Sequence, residues 1–267
     1  MAERTSKQGK FVMIRAGLSV FLGVWLASGA PAVRAADLQA LTVFAAADLA
    51  FAFREIVPEF ERALGVKVTL VLGSTGNLAR QIEHGAHADV FFAADQTYVE
   101  ALTGRGVLIP ETRALYAQGR IVLATAKSAG TKLTDLRDLL GPRIRHVAIA
   151  NPLHAPYGQA AEEALRSAGV WDAVKPKLVY AENIRHALQF VQTGAAEAGI
   201  VALSVANVPE INWVPIDASL YRPLNQGVAV VKRSTRPELG VAFVQFVNGP
   251  IGRPIMKRYG FLLPGEF

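Results

Sequence analysis

GSTGNLARQIEHGAHADVFFAAD, residues 73–95, holds the signature from which the fold can be read. The preceding run VKVTLVL (66–72) is β-branched and apolar, as a buried strand requires. Gly73-Ser74-Thr75-Gly76 then forms a tight turn, and residues 77–83 place Leu78, Ala79 and Ile82 at helical spacing. A second apolar run, 89–94, follows after His84-Gly85-Ala86-His87. Strand, turn, helix and strand in so few residues make a crossover unit of an α/β sheet.

The same alternation extends in both directions. Upstream, residues 41–45 read as a strand and 49–64 as a helix that stops at Gly65. Downstream, residues 96–103 read as a helix. A second unit then begins, with strands at 120–124, 146–150, 177–180 and 198–203. Helices at 133–140, 158–168 and 184–193 lie among them, a late strand falls at 227–232, and helices at 237–247 and 251–259 close the chain. This pattern predicts α/β layers with largely parallel sheets. Two lobes are expected, residues 36–117 completed by 234–267, and residues 118–233. Short crossovers join them, because no low-complexity stretch separates them. Helix N-termini at the carboxyl edges of two facing sheets would line a cleft.

The first 35 residues read differently. Arg4, Lys7, Lys10 and Arg15 precede an uncharged apolar run, AGLSVFLGVWLASGA (16–30). Pro31 breaks it, and Val33-Arg34-Ala35 offers small residues to a signal peptidase. The apolar run is shorter than the ~20 residues of a membrane-spanning helix. Residues 1–35 are therefore expected to be a cleavable signal peptide that exports the rest to the periplasm. They supply +4 of the chain's formal +6, so the remaining 232 residues carry only +2. With acidic and basic residues interleaved there, no basic stripe argues for nucleic acid. There is no Cys, which removes disulfides, a thiol nucleophile and lipid attachment through a Cys.

Three turns carry the candidate chemistry: Ala45-Ala46-Ala47-Asp48, Gly73 to Asn77, and Pro152 to Gly158. Each places small, hydroxyl or backbone-donating residues at a helix start, where unpaired N–H groups and a partial positive charge suit an anion. No Gly-Lys-Ser/Thr ending follows the glycines, so a nucleotide P-loop is unsupported. No Ser/His/Asp set stands at an informative spacing. His84, His87 and Asp89 read as surface polar groups and not as a metal site, and Trp171 and Trp213 as packing residues.

The segments TVFAAADL (42–49), residues 73–95, YAQGRIVLA (116–124), IANPLHAPYGQAAEEAL (149–165), AENIRHAL (181–188) and KRYGFLLP (257–264) together resemble the bacterial periplasmic molybdate-binding proteins. The resemblance spans nearly the whole chain after residue 35. It implies a two-lobed periplasmic solute-binding fold of type II that closes on a tetrahedral dianion, molybdate or tungstate. It also implies the permease of an ATP-driven (ABC) importer as partner, a monomer, no cofactor and no free metal cation. The family's hydroxyl ligand falls on Thr75, with Ser74 beside it, and its backbone donors fall on Tyr157 and Ile184. Some members use a Tyr after the strand that ends here at Val201, where this chain has Ala202. Tyr116, before the lobe crossover, is expected to replace that phenol.

At the first turn the backbone of Ala47 or Asp48 is expected to hold the anion. Many relatives carry Ser or Asn where this chain has Asp48. A carboxylate aimed at a dianion is repelled by about 4 kcal/mol per unit-charge pair at 4 Å and an effective dielectric of 20. Asp48 therefore turns away as an N-cap, is neutralised, or faces a different ligand. Its place directly before a helical run favours the N-cap, accepting from the N–H of Ala50 or Phe51. Arg80 and Arg120 are left outside the site, since neutral donors suffice for an oxyanion. Two other readings stand beside this one. One is a binder of another tetrahedral oxyanion such as sulfate. The other is an exported hydrolase, which lacks a nucleophile–base pair or metal site in this sequence.

Overall fold

A computed structural model describes residues 40–267. The expected signal peptide lies outside the described residues. Among the described residues, ten strands and nine α-helices follow in order: β1 (Ala40–Ala46), α1 (Ala50–Leu64), β2 (Lys67–Gly73), α2 (Thr75–Glu83), β3 (Val90–Ala93), α3 (Gln96–Gly104), β4 (Ala114–Gly119), β5 (Ile121–Ala126), β6 (Val147–Ala150), α4 (Pro156–Ser167), α5 (Trp171–Val174), β7 (Leu178–Ala181), α6 (Ile184–Gln192), β8 (Ala198–Ala202), α7 (Leu203–Ala206), β9 (Ile211–Pro215), β10 (Leu224–Val230), α8 (Pro237–Val247) and α9 (Gly252–Arg258).

The strands form two five-stranded sheets, ordered β2-β1-β3-β10-β4 and β7-β6-β8-β5-β9. Each is the centre of one lobe. The expectation of largely parallel sheets needs correction, because both are mixed. β1 pairs in parallel with β2 and β3, whereas β10 is antiparallel to β3 and β4. The second sheet repeats the plan: β6 is parallel to β7 and β8, and β5 is antiparallel to β8 and β9. The reason is the path of the chain. It leaves the first lobe after β4, and a strand that arrives from the other lobe enters against the direction of the parallel core.

That path also moves the expected lobe boundaries. The chain crosses at Arg120, between β4 and β5, and returns between β9 and β10. β10 is a central strand of the first sheet, so residues 224–233 belong with the first lobe and not the second. Two short strands, β4 and β9, escape a reading by periodicity. β4 (ALYAQG) mixes small and polar residues, and β9 (INWVP) is an edge strand largely open to solvent. Residues 136–140 are a 3-10 turn inside the stretch expected as a helix.

The first lobe's core is built on aromatic edge-to-face packing. The rings of Phe53, Phe92 and Phe243 meet at 5.1–5.7 Å and nearly perpendicular planes. Such pairs contribute about 0.5–1.5 kcal/mol beyond the area they bury. The second lobe's core is mainly aliphatic, with Ala148, Ala161, Ala164 and Ala187 fully buried so that α4 and α6 lie close to the sheet. These rigid layers present the ends of β1, β2, β6 and β7 to one another. At the crossover, the Arg120 guanidinium donates twice to the carbonyl of Gly260, and its own carbonyl accepts from Leu203 N–H.

Candidate oxyanion site

Four strand-to-helix turns meet where the lobes face each other. Residues 46–48 and 73–75 come from the first lobe, and residues 155–157 with Ile184 from the second. The pocket is small, with a cavity volume of about 10 Å³. Organic ligand sites run to roughly 300–1,000 Å³, so this one suits a small compact solute.

The second turn places Ser74 and Thr75 on the pocket wall. Thr75 opens α2 and is buried. Its Oγ1 accepts from the N–H of Ala94 at 3.0 Å, which orients the side chain and leaves the hydroxyl hydrogen to donate. Ser74 Oγ lies 2.9 Å from Nδ1 of His154, a residue of the other lobe. Burial pulls the His154 imidazole below its usual range, and Arg80 pulls in the same direction. Gly76 N–H donates to His154 O at 2.8 Å. A Cβ at Gly76 would sit 2.9 Å from that oxygen, so only glycine allows this approach.

The second lobe contributes backbone donors. Pro156 takes the first position of α4, where a missing N–H costs nothing, and Tyr157 follows. Asn183 caps α6, its side chain accepting from Arg185 N–H and His186 N–H at 3.0 and 3.1 Å. That leaves the Ile184 N–H out of the cap. Tyr157 and Ile184 are both buried and both line the pocket. A helix start with such free amides favours negative charge.

Asp48 departs from expectation. It is not an N-cap: it sits inside a 3-10 turn, Ala47–Leu49, and no side chain caps that turn or α1. Instead it is 0% exposed and takes its partners from far along the chain. Oδ2 accepts from the Tyr157 hydroxyl at 2.9 Å and from Gln226 Nε2 at 2.8 Å. Gln226 Nε2 also reaches Tyr157 Oη at 2.9 Å. From α7 of the second lobe, the Ser204 hydroxyl donates to the Asp48 carbonyl at 2.9 Å. Gly119 makes room for this cluster, because a Cβ there would meet Tyr157 Oη at 2.1 Å. Oδ1 of Asp48 has no partner, nor has Oε1 of Gln226. Burial pushes the Asp48 carboxyl up from 3.8 to about 6, and the bonds from Gln226 and Tyr157 hold it from rising further.

Tyr116 is the second correction. It does not line the pocket. Its hydroxyl donates to the carbonyl of Ala93 at 3.2 Å, and its ring packs edge-on against Phe92 at 5.1 Å. On β4 its side chain points into the first lobe's core, so it cannot replace the phenol missing at Ala202. The phenol at the site is that of Tyr157, expected only as a backbone donor. Ala47 and Ser74 do line the pocket. Arg80 and Arg120 are directed elsewhere, Arg80 to Asn77 and Arg120 to Gly260. Gln226, Ser204 and His154 were not foreseen. The one available signal was the pair of amides Asn225-Gln226 set before glycine in the otherwise apolar LNQGVAV.

The site can hold a small anion with neutral donors alone, and no group of three or more metal-ligating side chains occurs among the described residues. Comparison with known proteins agrees in kind. Residues 41–262 match the family model of bacterial extracellular solute-binding proteins. A molybdate-binding protein, ModA, from Azotobacter vinelandii is 37% identical over 251 residues, covering 91% of this chain and 96% of the relative. ModA of Escherichia coli is 34% identical over 94% of this chain and 100% of its own length. A solved structure of the Azotobacter vinelandii periplasmic molybdate-binding protein superimposes with a TM-score of 0.78 at 30% identity, covering 84% of this chain and 99% of that one.

Proposed function

The chain belongs to the bacterial extracellular solute-binding proteins, and from that membership we propose that it captures molybdate, or its near twin tungstate, in the periplasm. The observation that supports this reading is that Thr75 of the first lobe and Tyr157 and Ile184 of the second, all buried, line one small pocket between the lobes. A tetrahedral dianion offers four acceptor oxygens and no donor, which matches a wall of hydroxyl and N–H groups. Hydrogen bonds to a charged partner are worth roughly 1.5–3 kcal/mol each, so a few preorganised donors give tight capture without a cation.

Closure follows from the same contacts. Gly76 to His154, Ser74 to His154 and Tyr157 to Asp48 all run from one lobe to the other. With the chain crossing at Arg120 and again before β10, the lobes can hinge. A permease that recognises the closed form would receive only the loaded protein. In this reading residues 1–35 direct export and are removed, the working protein is a monomer with no cofactor, and its partner is an ATP-driven importer.

Calorimetry of ligand-free protein against molybdate, tungstate, sulfate, phosphate and chromate tests the proposal. Molybdate and tungstate should each bind one per chain and far more tightly than sulfate, whose shorter bonds leave the donors of a larger cage out of reach. Sulfate binding as tightly as molybdate would defeat it.

A further inference from the structure

Asp48 is the group in the pocket that a dianion site does not explain. Its Oδ2 is saturated by two donors, the Tyr157 hydroxyl and Gln226 Nε2. Its Oδ1 is buried, has no partner, and belongs to a residue on the pocket wall. Resting on the reading of this pocket as an oxyanion site, we propose that Asp48 contacts the captured anion through Oδ1 as a carboxylic acid, so that each dianion bound takes up one proton from solvent.

The position of the proton follows from the hydrogen bonds. A hydrogen on Oδ2 would face two donors, whereas Oδ1 has no hydrogen-bond partner within the protein and belongs to a residue that lines the pocket, which leaves it as the oxygen to carry the hydrogen toward an anion. The ionised acid would instead set a lone pair and a negative charge against an oxygen of the ligand, with no hydrogen between them. Burial already favours the neutral acid, and a dianion in contact favours it further. Among the described residues no cationic side chain bonds to the Asp48 carboxyl or shifts it. Facing Asp48 are the phenols of Tyr157 on α4 and Tyr116 on β4, both pushed well above their usual range by burial. Gln226 on β10 is uncharged. α7 offers Ser204, bonded to the Asp48 carbonyl. Arg54 of α1 and Arg185 of α6 turn onto the ring of Phe51, at 5.2 and 4.6 Å. Against the second turn stands His154 of the third, bonded to Ser74, with Arg80 and Glu182 near it. His154 is thus the other group whose titration could register at this site.

Calorimetry with molybdate, in buffer pairs of different ionisation enthalpy at pH 5 and pH 8, counts the protons. Wild type should take up about one proton per molybdate at pH 8 and almost none at pH 5, and its Kd should rise about tenfold per pH unit above pH 7. Asp48→Asn supplies an amide N–H where the acid supplied O–H. It should bind molybdate with no proton uptake and a nearly flat Kd. His154→Gln should keep both the uptake and the slope. Molybdate binding at pH 8 without uptake overturns the inference alone, as does uptake that survives Asp48→Asn or disappears in His154→Gln. Should Asp48→Asn not fold, wild type and His154→Gln still decide between the two groups. Absence of molybdate binding at both pH values overturns the functional reading with it.

Discussion

Tyr157 of the second lobe donates its hydroxyl to Oδ2 of Asp48 in the first, at 2.9 Å, inside a cluster that Gln226 completes. The bond spans 109 residues of sequence and joins two residues that line the same pocket. It therefore couples the approach of the lobes to the position of the one carboxyl at the site. A phenol with one end in the second lobe's core and the other on Asp48 cannot keep both contacts if the lobes part.

Two tyrosines can be told apart by this. Tyr157→Phe removes the bond between lobes and leaves Asp48 Oδ2 with Gln226 alone. Molybdate affinity should fall by roughly 0.5–1.5 kcal/mol, the worth of a hydrogen bond to the neutral acid. Tyr116→Phe removes only a bond to Ala93 within the first lobe, so it should cost about 1 kcal/mol of stability and change affinity less than twofold. Calorimetry and urea unfolding of both variants check this; equal losses of affinity would show that the two phenols are not so divided.

Asp48 should leave a mark on stability even without ligand. Its carboxyl titrates near 6 when folded and near 3.8 otherwise. A raised folded value means that the neutral acid stabilises the fold below pH 3.8, and that this contribution is lost as pH climbs to about 6. The loss is on the order of 3 kcal/mol at 1.4 kcal/mol per pKa unit. Asp48→Asn lacks the titration. The stability difference between Asp48→Asn and wild type should therefore grow in the variant's favour from pH 4 to pH 6.5 and then level off. Urea midpoints that track one another across that window would be the contrary result.

In the proposed site Thr75 has two tasks, and substitution can separate them. Its Oγ1 accepts from Ala94 N–H, and its hydroxyl hydrogen is free for the ligand. Thr75→Ala should weaken molybdate binding by roughly 1.5–3 kcal/mol and cost about 1–3 kcal/mol of stability through the orphaned amide. Thr75→Ser retains the hydroxyl and should recover most of both. Affinity of Thr75→Ala within twofold of wild type would remove Thr75 from the site.

Gly76→Ala tests closure without touching a donor side chain. The added methyl would meet the carbonyl of His154 at 2.9 Å, and that contact exists only when the lobes are together. Affinity should fall about tenfold or more, while the ligand-free protein melts within a few degrees of wild type, because the methyl adds helix propensity within α2. Unchanged affinity would place the closed state elsewhere.

Protein recovered from the envelope should begin near Ala36. The basic lead, the uncharged run and Val33-Arg34-Ala35 are the basis for this. Intact-mass spectrometry measures it directly, and a species retaining residues 1–35 would be the contrary finding.

Local chemistry was enough to fix much of this protein. Apolar runs of strand length and helical spacings of Leu, Ile and Phe gave the order of most elements, because those periods follow from backbone geometry alone. The turns at Asp48, Thr75 and Tyr157 were legible for the same reason: strand, small residues and helix start are neighbours in sequence. Tertiary structure decided which side chains meet. Asp48 pairs with residues 109 and 178 positions away, and nothing near Asp48 in sequence distinguishes that fate from an N-cap. Tyr116 and Tyr157 are both tyrosines beside a turn. Only the packing of β4 under Phe92, and of α4 against the gap at Gly119, sends one phenol into the core and the other to the site. The mixed sheets arise likewise from where the chain crosses between lobes, a matter of long-range pairing that period and propensity do not encode.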